Sequence, residues 1–261
     1  MTLDFNPTAL GLPLTTLLTL VGGLGGLAWT LRRAPAFDLT RAYAYTIALR
    51  TTLWAILGGR VLHVIDFADF YADVPFQVFY LWNGGLSAWG VLIAGAAGAL
   101  WHARRRGASL ARFADHLALA GMAVVVAGRL GDLLAGERVG TAMSLPWAIT
   151  YTNASSSSFD LGATHPVAAY EMLLVGVMVV ALVVAKRQIG VGQIGVRLRS
   201  GWAIGLAFAG YSVARFAIGF VTVERTHLGL GLSQWIALVV FAVIAWYAFA
   251  RRDRILAHAD S

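Results

Sequence analysis

Apolar stretches long enough to cross a bilayer recur seven times along this chain, near residues 9–31, 41–64, 84–102, 113–134, 167–185, 201–221 and 230–250. A helix needs roughly 20 apolar residues to traverse the hydrocarbon core. Residues that are 59% hydrophobic and only 13% charged cannot coat a soluble core of this size with polar surface. Unbroken runs of Leu, Ala, Val and Gly favour helices over the alternating strands of a membrane barrel. The sequence therefore predicts an all-α integral membrane protein: one polytopic membrane domain over residues 1–261, a bundle of about seven transmembrane helices.

A formal net charge of +7 raises the question of nucleic acid, and the placement of the basic residues answers it. Arg32, Arg33 and Arg41 follow the first stretch, and Arg104, Arg105, Arg106 and Arg112 the third. Lys186, Arg187, Arg197 and Arg199 follow the fifth, and Arg251, Arg252 and Arg254 the seventh. Fourteen of the 20 basic residues thus fall on alternate loops, which positive-inside logic makes cytoplasmic. The expectation is an N-terminus outside, a C-terminus inside and no nucleic-acid partner. The acidic loop with Asp66, Asp69 and Asp73 and the long loop 135–164 then face outward. The opening MTLDFNPTALG lacks a charged n-region and is expected to stay attached. Cysteine is absent, which excludes a thiol nucleophile and thiolate metal ligands in the protein. The six histidines show no HxxxH pair, so no metal or cofactor is expected.

Between the apolar stretches, TNASSSSFDLG (152–162) predicts a flexible surface loop, and RQIGVGQIGVRLR a basic connector on an anionic leaflet. Trp82, Trp147 and Trp235 fall near outer ends and Trp29, Trp101 and Trp246 near inner ends, as interfacial anchors do. Many of the 29 glycines suit close packing of membrane helices. The pair Gly84-Gly85 in WNGGLS is placed to open a span, where free N–H groups can face an anion.

An ionised side chain at bilayer depth costs at least about 2.5 kcal/mol and normally marks function. Arg60, Arg129, Asp132, Glu137, Glu171 and Arg215 stand within or at the ends of spans. Arg129 and Asp132 are three apart, Tyr211 and Arg215 four apart, so each pair shares a helix face. Two guanidinium groups aimed at one outward cavity would suit the phosphate of a phospholipid head group. The other reading is an internal ion-pair network, Arg129 with Asp132 or Glu137 and Arg215 with Glu171, that only fixes helix packing. His165-Pro166 reads as a helix start.

The segments GGRVLHV, WNGGLSAWGVLIAG, GRLGDLLAGERVG with LPWAI, HPVAAYE and GYSVAR occur in the order that resembles bacterial prolipoprotein diacylglyceryl transferases, over roughly residues 54–250. The resemblance implies an enzyme of the bacterial cytoplasmic membrane. It would move the diacylglyceryl group of phosphatidylglycerol, or a related anionic phospholipid, to the lipobox cysteine of an exported lipoprotein precursor. By the same resemblance Arg129 and Arg215 would bind the phosphate, with Asp132 and Glu137 beside them. Gly84, Gly85, Trp89, Gly140, His165, Tyr211 and Arg60 would line the substrate site. The sequence departs from the family pattern at several of these positions. Trp89 stands where the family has histidine, Asp132 and Ala135 where it has asparagine, Gly219 where it has an acid, and Thr15 in a loose alignment with tyrosine. Asp132 is then either a substitute proton acceptor in a divergent transferase, or a carboxylate that tempers Arg129 in a paralogue that binds an anionic phospholipid without the family reaction. A different class, a seven-helix receptor or transporter, lacks support. The one lysine, Lys186, lies in a loop, and no paired broken helices are visible.

Overall fold

Pro13 and Thr40 mark the first two helix starts in the computed structural model, which describes residues 1–4, 6, 8–9, 12–81, 84–190 and 201–250. The helix α1 (Leu14–Arg33) follows Pro13 and runs into a 3-10 turn over Ala34–Phe37. Next comes α2 (Arg41–Asp66), whose Thr40 hydroxyl accepts the Tyr43 N–H at 3.3 Å. A short α3 (Ala68–Asp73) leads to α4 (Ala88–Arg104). The 26-residue α5 (Leu110–Ala135) stops at Gly136, whose φ of 66° is the left-handed conformation that ends helices. Then come α6 (Val167–Gly190), α7 (Trp202–Gly219) and α8 (Leu232–Ala250). Trp82, most of the inward connector with Arg197 and Arg199, and the tail with Arg251, Arg252, Arg254 and His258 lie outside the described residues.

The chain is thus mostly helical. Five helical segments are long and apolar enough to cross a membrane: Leu14–Phe37, Leu110–Ala135, Val167–Gln188, Trp202–Gly219 and Leu232–Ala250. The other two expected spans are helices as well. α4 is 17 residues long, and α2 carries Arg41, Arg50, Arg60 and Asp66. One boundary differs from expectation: α4 starts at Ala88, so Gly84-Gly85 do not open it. Both glycines have φ near +80°, which an α-helix cannot accept, and the Ser87 N–H is already given to the Gly59 carbonyl at 2.9 Å.

Contacts between helix ends sort the bundle into two sides. At one side Ser109 N–H reaches the Phe37 carbonyl and Arg112 pairs with Asp38. There too Asp115 of α5 accepts from the N–H groups of Gly201, Ala203 and Ile204 at 2.8–3.3 Å, capping α7 from a neighbouring helix. At the other side Thr15 meets Asp132, Trp89 meets Ser233, and Arg225 meets Asp69. The first side carries Arg32, Arg33, Arg41, Arg104, Arg105, Arg106, Arg112, Lys186 and Arg187, as the alternating loops predict.

Small residues set the helix spacing. Gly58 and Gly59 of α2 face Gly90 of α4, and a Cβ at Gly90 would sit 2.8 Å from the Gly59 Cα. One at Gly98 would lie 2.6 Å from the Trp54 ring. α1 approaches α5 in the same way, with Gly128 against the Thr19 hydroxyl. Between these contacts an apolar core gathers Trp89, Leu119, Met122, Val175 and Tyr211.

The segment 152–162 is a correction to the sequence reading. Ser156 and Ser158 are buried, and both hydroxyls donate to the Gly136 carbonyl, at 3.2 and 2.8 Å. Tyr151 donates to the Leu133 carbonyl at 2.8 Å, and Thr150–Tyr151 pairs in parallel with Thr2–Leu3. The two serines converge on one carbonyl just past the end of α5, which anchors this surface loop at that point.

Gly90→Val is expected to lower stability in detergent by about 1–3 kcal/mol, because the added side chain meets backbone. Gly25→Val, where nothing lies within 4 Å, is expected to change it little. Thermal unfolding of both variants checks this; equal midpoints would remove the close α2–α4 contact as a determinant.

Candidate active site

Glu171 sits one turn into α6 with 0% of its surface exposed, at the end of the bundle opposite the basic loops. Pro166 immediately precedes that helix and its carbonyl accepts the Tyr170 N–H at 3.1 Å, so HPVAAYE is the helix start that the sequence indicates. A carboxylate buried this completely persists only with strong partners. It has three. Nε of Arg129, from α5, lies 2.9 Å from one oxygen, which also accepts the Tyr211 hydroxyl at 2.8 Å. Arg215 of α7 donates to the other oxygen at 3.0 Å.

The network extends at both ends. Arg129 also pairs with Asp132 one turn along α5, and Asp132 accepts the Thr15 hydroxyl at 2.9 Å. Arg215 reaches out of the bundle to Glu224 at 3.1 Å and to the Ser233 hydroxyl at 2.6 Å. Arg138 completes the chain by donating to Glu224 at 3.2 Å. The order is therefore Asp132, Arg129, Glu171, Arg215, Glu224, Arg138, with three positive and three negative groups alternating. Arg129 and Arg215 are 9% and 2% exposed. The Nε atoms of Arg129, Arg138 and Arg215 are buried without a hydrogen-bond acceptor; that of Arg129 is close to Glu171 but poorly aligned. The Arg138 and Arg215 Nε–H groups are donors that a further acceptor could use.

Outside the spans, burial and the neighbouring charges of Arg215 and Arg129 push the Arg138 guanidinium below its usual range. Burial and the adjacent Asp132 charge push Glu137 above the usual carboxylate range, partly offset by Thr15. Glu137 keeps part of its surface open to solvent while its carboxyl end is desolvated, and it has no ion pair among the described residues.

The remaining expected site residues divide. Tyr211 is fully buried in the network, and Trp89 packs edge-on against its ring at 4.8 Å while donating to the Ser233 carbonyl at 3.2 Å. Gly140 pairs with Thr222, and a side chain there would strike the His165 carbonyl. His165 contacts Tyr170 through Nδ1 at 3.3 Å. Arg60 is occupied elsewhere: its guanidinium donates to the carbonyls of Gln77, Val78, Gly84 and Gly85 and lies over the Tyr71 ring. It clamps the Gly84-Gly85 turn through backbone oxygens, and those glycines present carbonyls to it.

Sequence reasoning singled out Glu171 but missed Glu224, Arg138 and Ser233. Glu224 and Arg138 lie in loops, where a charge is inexpensive and draws no notice. Gly219 explains why Glu224 matters: a side chain there would meet Gln234 at 2.5 Å, so the carboxylate for Arg215 comes from the following loop.

Helices long and apolar enough to cross a membrane, with a charge-balanced network buried at one end, define the class as an all-α protein suited to a membrane. The sequence comparisons name the family. The model of the family described as prolipoprotein diacylglyceryl transferase matches residues 12–250, and the chain belongs to that family. It is 35% identical over 207 residues to phosphatidylglycerol–prolipoprotein diacylglyceryl transferase 1 of Streptomyces coelicolor, covering 77% of this chain and 58% of that protein. It is 30% identical over 252 residues to the phosphatidylglycerol–prolipoprotein diacylglyceryl transferase of Paenarthrobacter aurescens, covering 90% and 77%. The chain thus spans about three-fifths of the length of the Streptomyces relatives it matches.

Glu171→Gln is expected to destabilise the protein by about 3–5 kcal/mol, since it strands two buried arginines. Glu224→Gln, whose side chain is 22% exposed, is expected to cost less than half of that. Thermal unfolding in detergent distinguishes them, and equal small losses would refute the central role of Glu171.

Proposed function

We propose that this protein transfers the diacylglyceryl group of phosphatidylglycerol to the lipobox cysteine of an exported lipoprotein precursor at the outer face of a bacterial cytoplasmic membrane. In this reading residues 1–261 form one polytopic domain of seven spans, N-terminus outside and C-terminus inside, a topology supported by the concentration of basic residues at one end of the bundle. The relatives' names, which pair phosphatidylglycerol with prolipoprotein diacylglyceryl transfer, support the choice of substrates.

The observation that carries the reading is the cluster of buried arginines around Glu171, in which the Nε–H groups of Arg138 and Arg215 have no hydrogen-bond acceptor among the described residues. In the reaction a thiolate sulfur attacks the glyceryl carbon, the carbon–oxygen bond to phosphate breaks, and glycerol phosphate leaves with the electron pair. The thiol proton passes to a base or to the departing phosphate. Guanidinium donors fixed around the phosphate stabilise the charge that grows on it. The thiol belongs to the acceptor, so an enzyme without cysteine suffices.

Asp132 is better suited to tempering Arg129 than to taking a proton. Its two oxygens are engaged by Arg129 and Thr15, so both are already occupied by donors. A phosphate entering the centre must displace a carboxylate from its arginine, and Asp132 and Glu224 are the terminal acids of the chain of ion pairs. Arg129 and Arg215 act on the phosphate; Glu171 positions both.

The test is a transfer assay with purified protein, phosphatidylglycerol and a lipobox peptide, reading peptide mass for an added diacylglyceryl group. Product is expected, and Arg129→Ala and Arg215→Ala are each expected to lose at least about 100-fold in turnover. Full activity in either variant would overturn the phosphate assignment. Asp132→Asn is expected to keep or raise activity; its loss would make Asp132 the proton acceptor. No product, with a family enzyme active in parallel, would leave lipid binding without this reaction.

A further inference from the structure

At the basic end of the bundle, α2 and the last turn of α4 enclose a cavity of about 170 Å³ whose lining includes Tyr43, Thr46, Arg50, His102, Arg105 and Arg106. Tyr43, Thr46 and Arg50 follow at three and four residues on α2, so one stripe of that helix faces the end of α4. Arg50 lies about 14 Å along α2 at 1.5 Å per residue, and a side chain of its length can carry its charge back toward the helix start.

Two of the three guanidinium groups are held by aromatic faces. Arg105 lies over Trp101 at 4.3 Å and Arg106 over Tyr43 at 4.4 Å. Stacking of this kind uses the plane of the guanidinium and leaves its N–H edge open to an oxyanion. His102 gives Nδ1 to the Gly98 carbonyl at 2.7 Å, so the anion-binding capacity rests on the arginines. No carboxylate lines the cavity. Among the described residues the acids at this end are Asp38, paired with Arg112 at 2.9 Å, and Asp115, held by the start of α7. Arg50, Arg105 and Arg106 have no ion pair among the described residues.

The surroundings distinguish a lipid from a free anion. Leu49, Leu53, Trp54 and Trp101 beside the arginines are 41–61% exposed, an apolar flank that runs along α2 and α4 away from the charged end. We propose that this cavity binds the phosphate of an anionic phospholipid whose chains lie along that flank, a second lipid site at the opposite end of the bundle from the Glu171 network. Three cations without counter-charge supply the affinity, and the apolar flank selects a lipid over inorganic phosphate.

The proposal does not depend on the transferase reading. The purified protein, the variant R50Q/R105Q/R106Q and the control Arg112→Gln are placed in nanodiscs of phosphatidylcholine containing phosphatidylglycerol. Lipids retained on release are counted by native mass spectrometry. The triple variant is expected to keep one fewer phosphatidylglycerol, with retention weakened on the order of 100-fold, and Arg50→Gln alone about 5-fold. Arg112→Gln is expected to match the unaltered protein. If the triple variant does not fold, Arg50→Gln decides alone. Equal retention by variant and unaltered protein would overturn the proposal. So would binding of inorganic phosphate, lost in the variant, with an unchanged lipid count.

Discussion

Glu171 is the group on which the outer half of the molecule depends. A carboxylate with no exposed surface would be forced to neutralise unless cations closed around it, and two guanidinium groups from two other helices do so. Those arginines are themselves too buried to stand alone, so each recruits a further acid, Asp132 on one side and Glu224 on the other. One buried charge thereby fixes the relative positions of α5, α6, α7 and the loop before α8. Replacing any member with an apolar residue leaves its neighbours unpaired, which is why such a network orients helices sharply even though it adds little net stability. Its overall neutrality also means that any oxyanion entering it would compete with carboxylates already present.

Much of the fold could be read from the chain before any coordinates, because membrane helices declare themselves by length and composition. The same holds for the two-sidedness, which follows from where arginines accumulate. The site was legible where depth made charge conspicuous, as at Arg129, Glu171 and Arg215. It was not legible at Glu224 and Arg138, since a charged residue in a loop looks like any other. Arg60 shows the converse. Its depth drew attention, yet it uses its donors on the carbonyls of one turn. Sequence position signals that a buried arginine must be satisfied, but not whether backbone or ligand satisfies it.

The residues around the centre fit one another physically as a group. Gly219 leaves no side chain beside Gln234, and Glu224 approaches Arg215 from the next loop instead. Thr15 bonds Asp132, which in turn holds Arg129, so the hydroxyl and the carboxylate act as one unit. Trp89 packs on Tyr211 and keeps that phenol aimed at Glu171. The segment 152–162, polar and unpromising as sequence, closes the end of α5 next to the centre with two buried hydroxyl groups.

The cap that Asp115 places on α7 bears on how this bundle can move. α5 is fastened to the beginning of α7 by a carboxylate on three backbone N–H groups, and near its other end it is linked to Arg215 of α7 through Arg129 and Glu171. Two helices pinned at both ends cannot slide along each other without breaking one fastening, which removes shear between α5 and α7 from the motions available to the protein. Access to the centre must then come from displacement of α8 or the outer loops around a frame of α5, α6 and α7, so a cap at one end of the bundle limits how its other end can open.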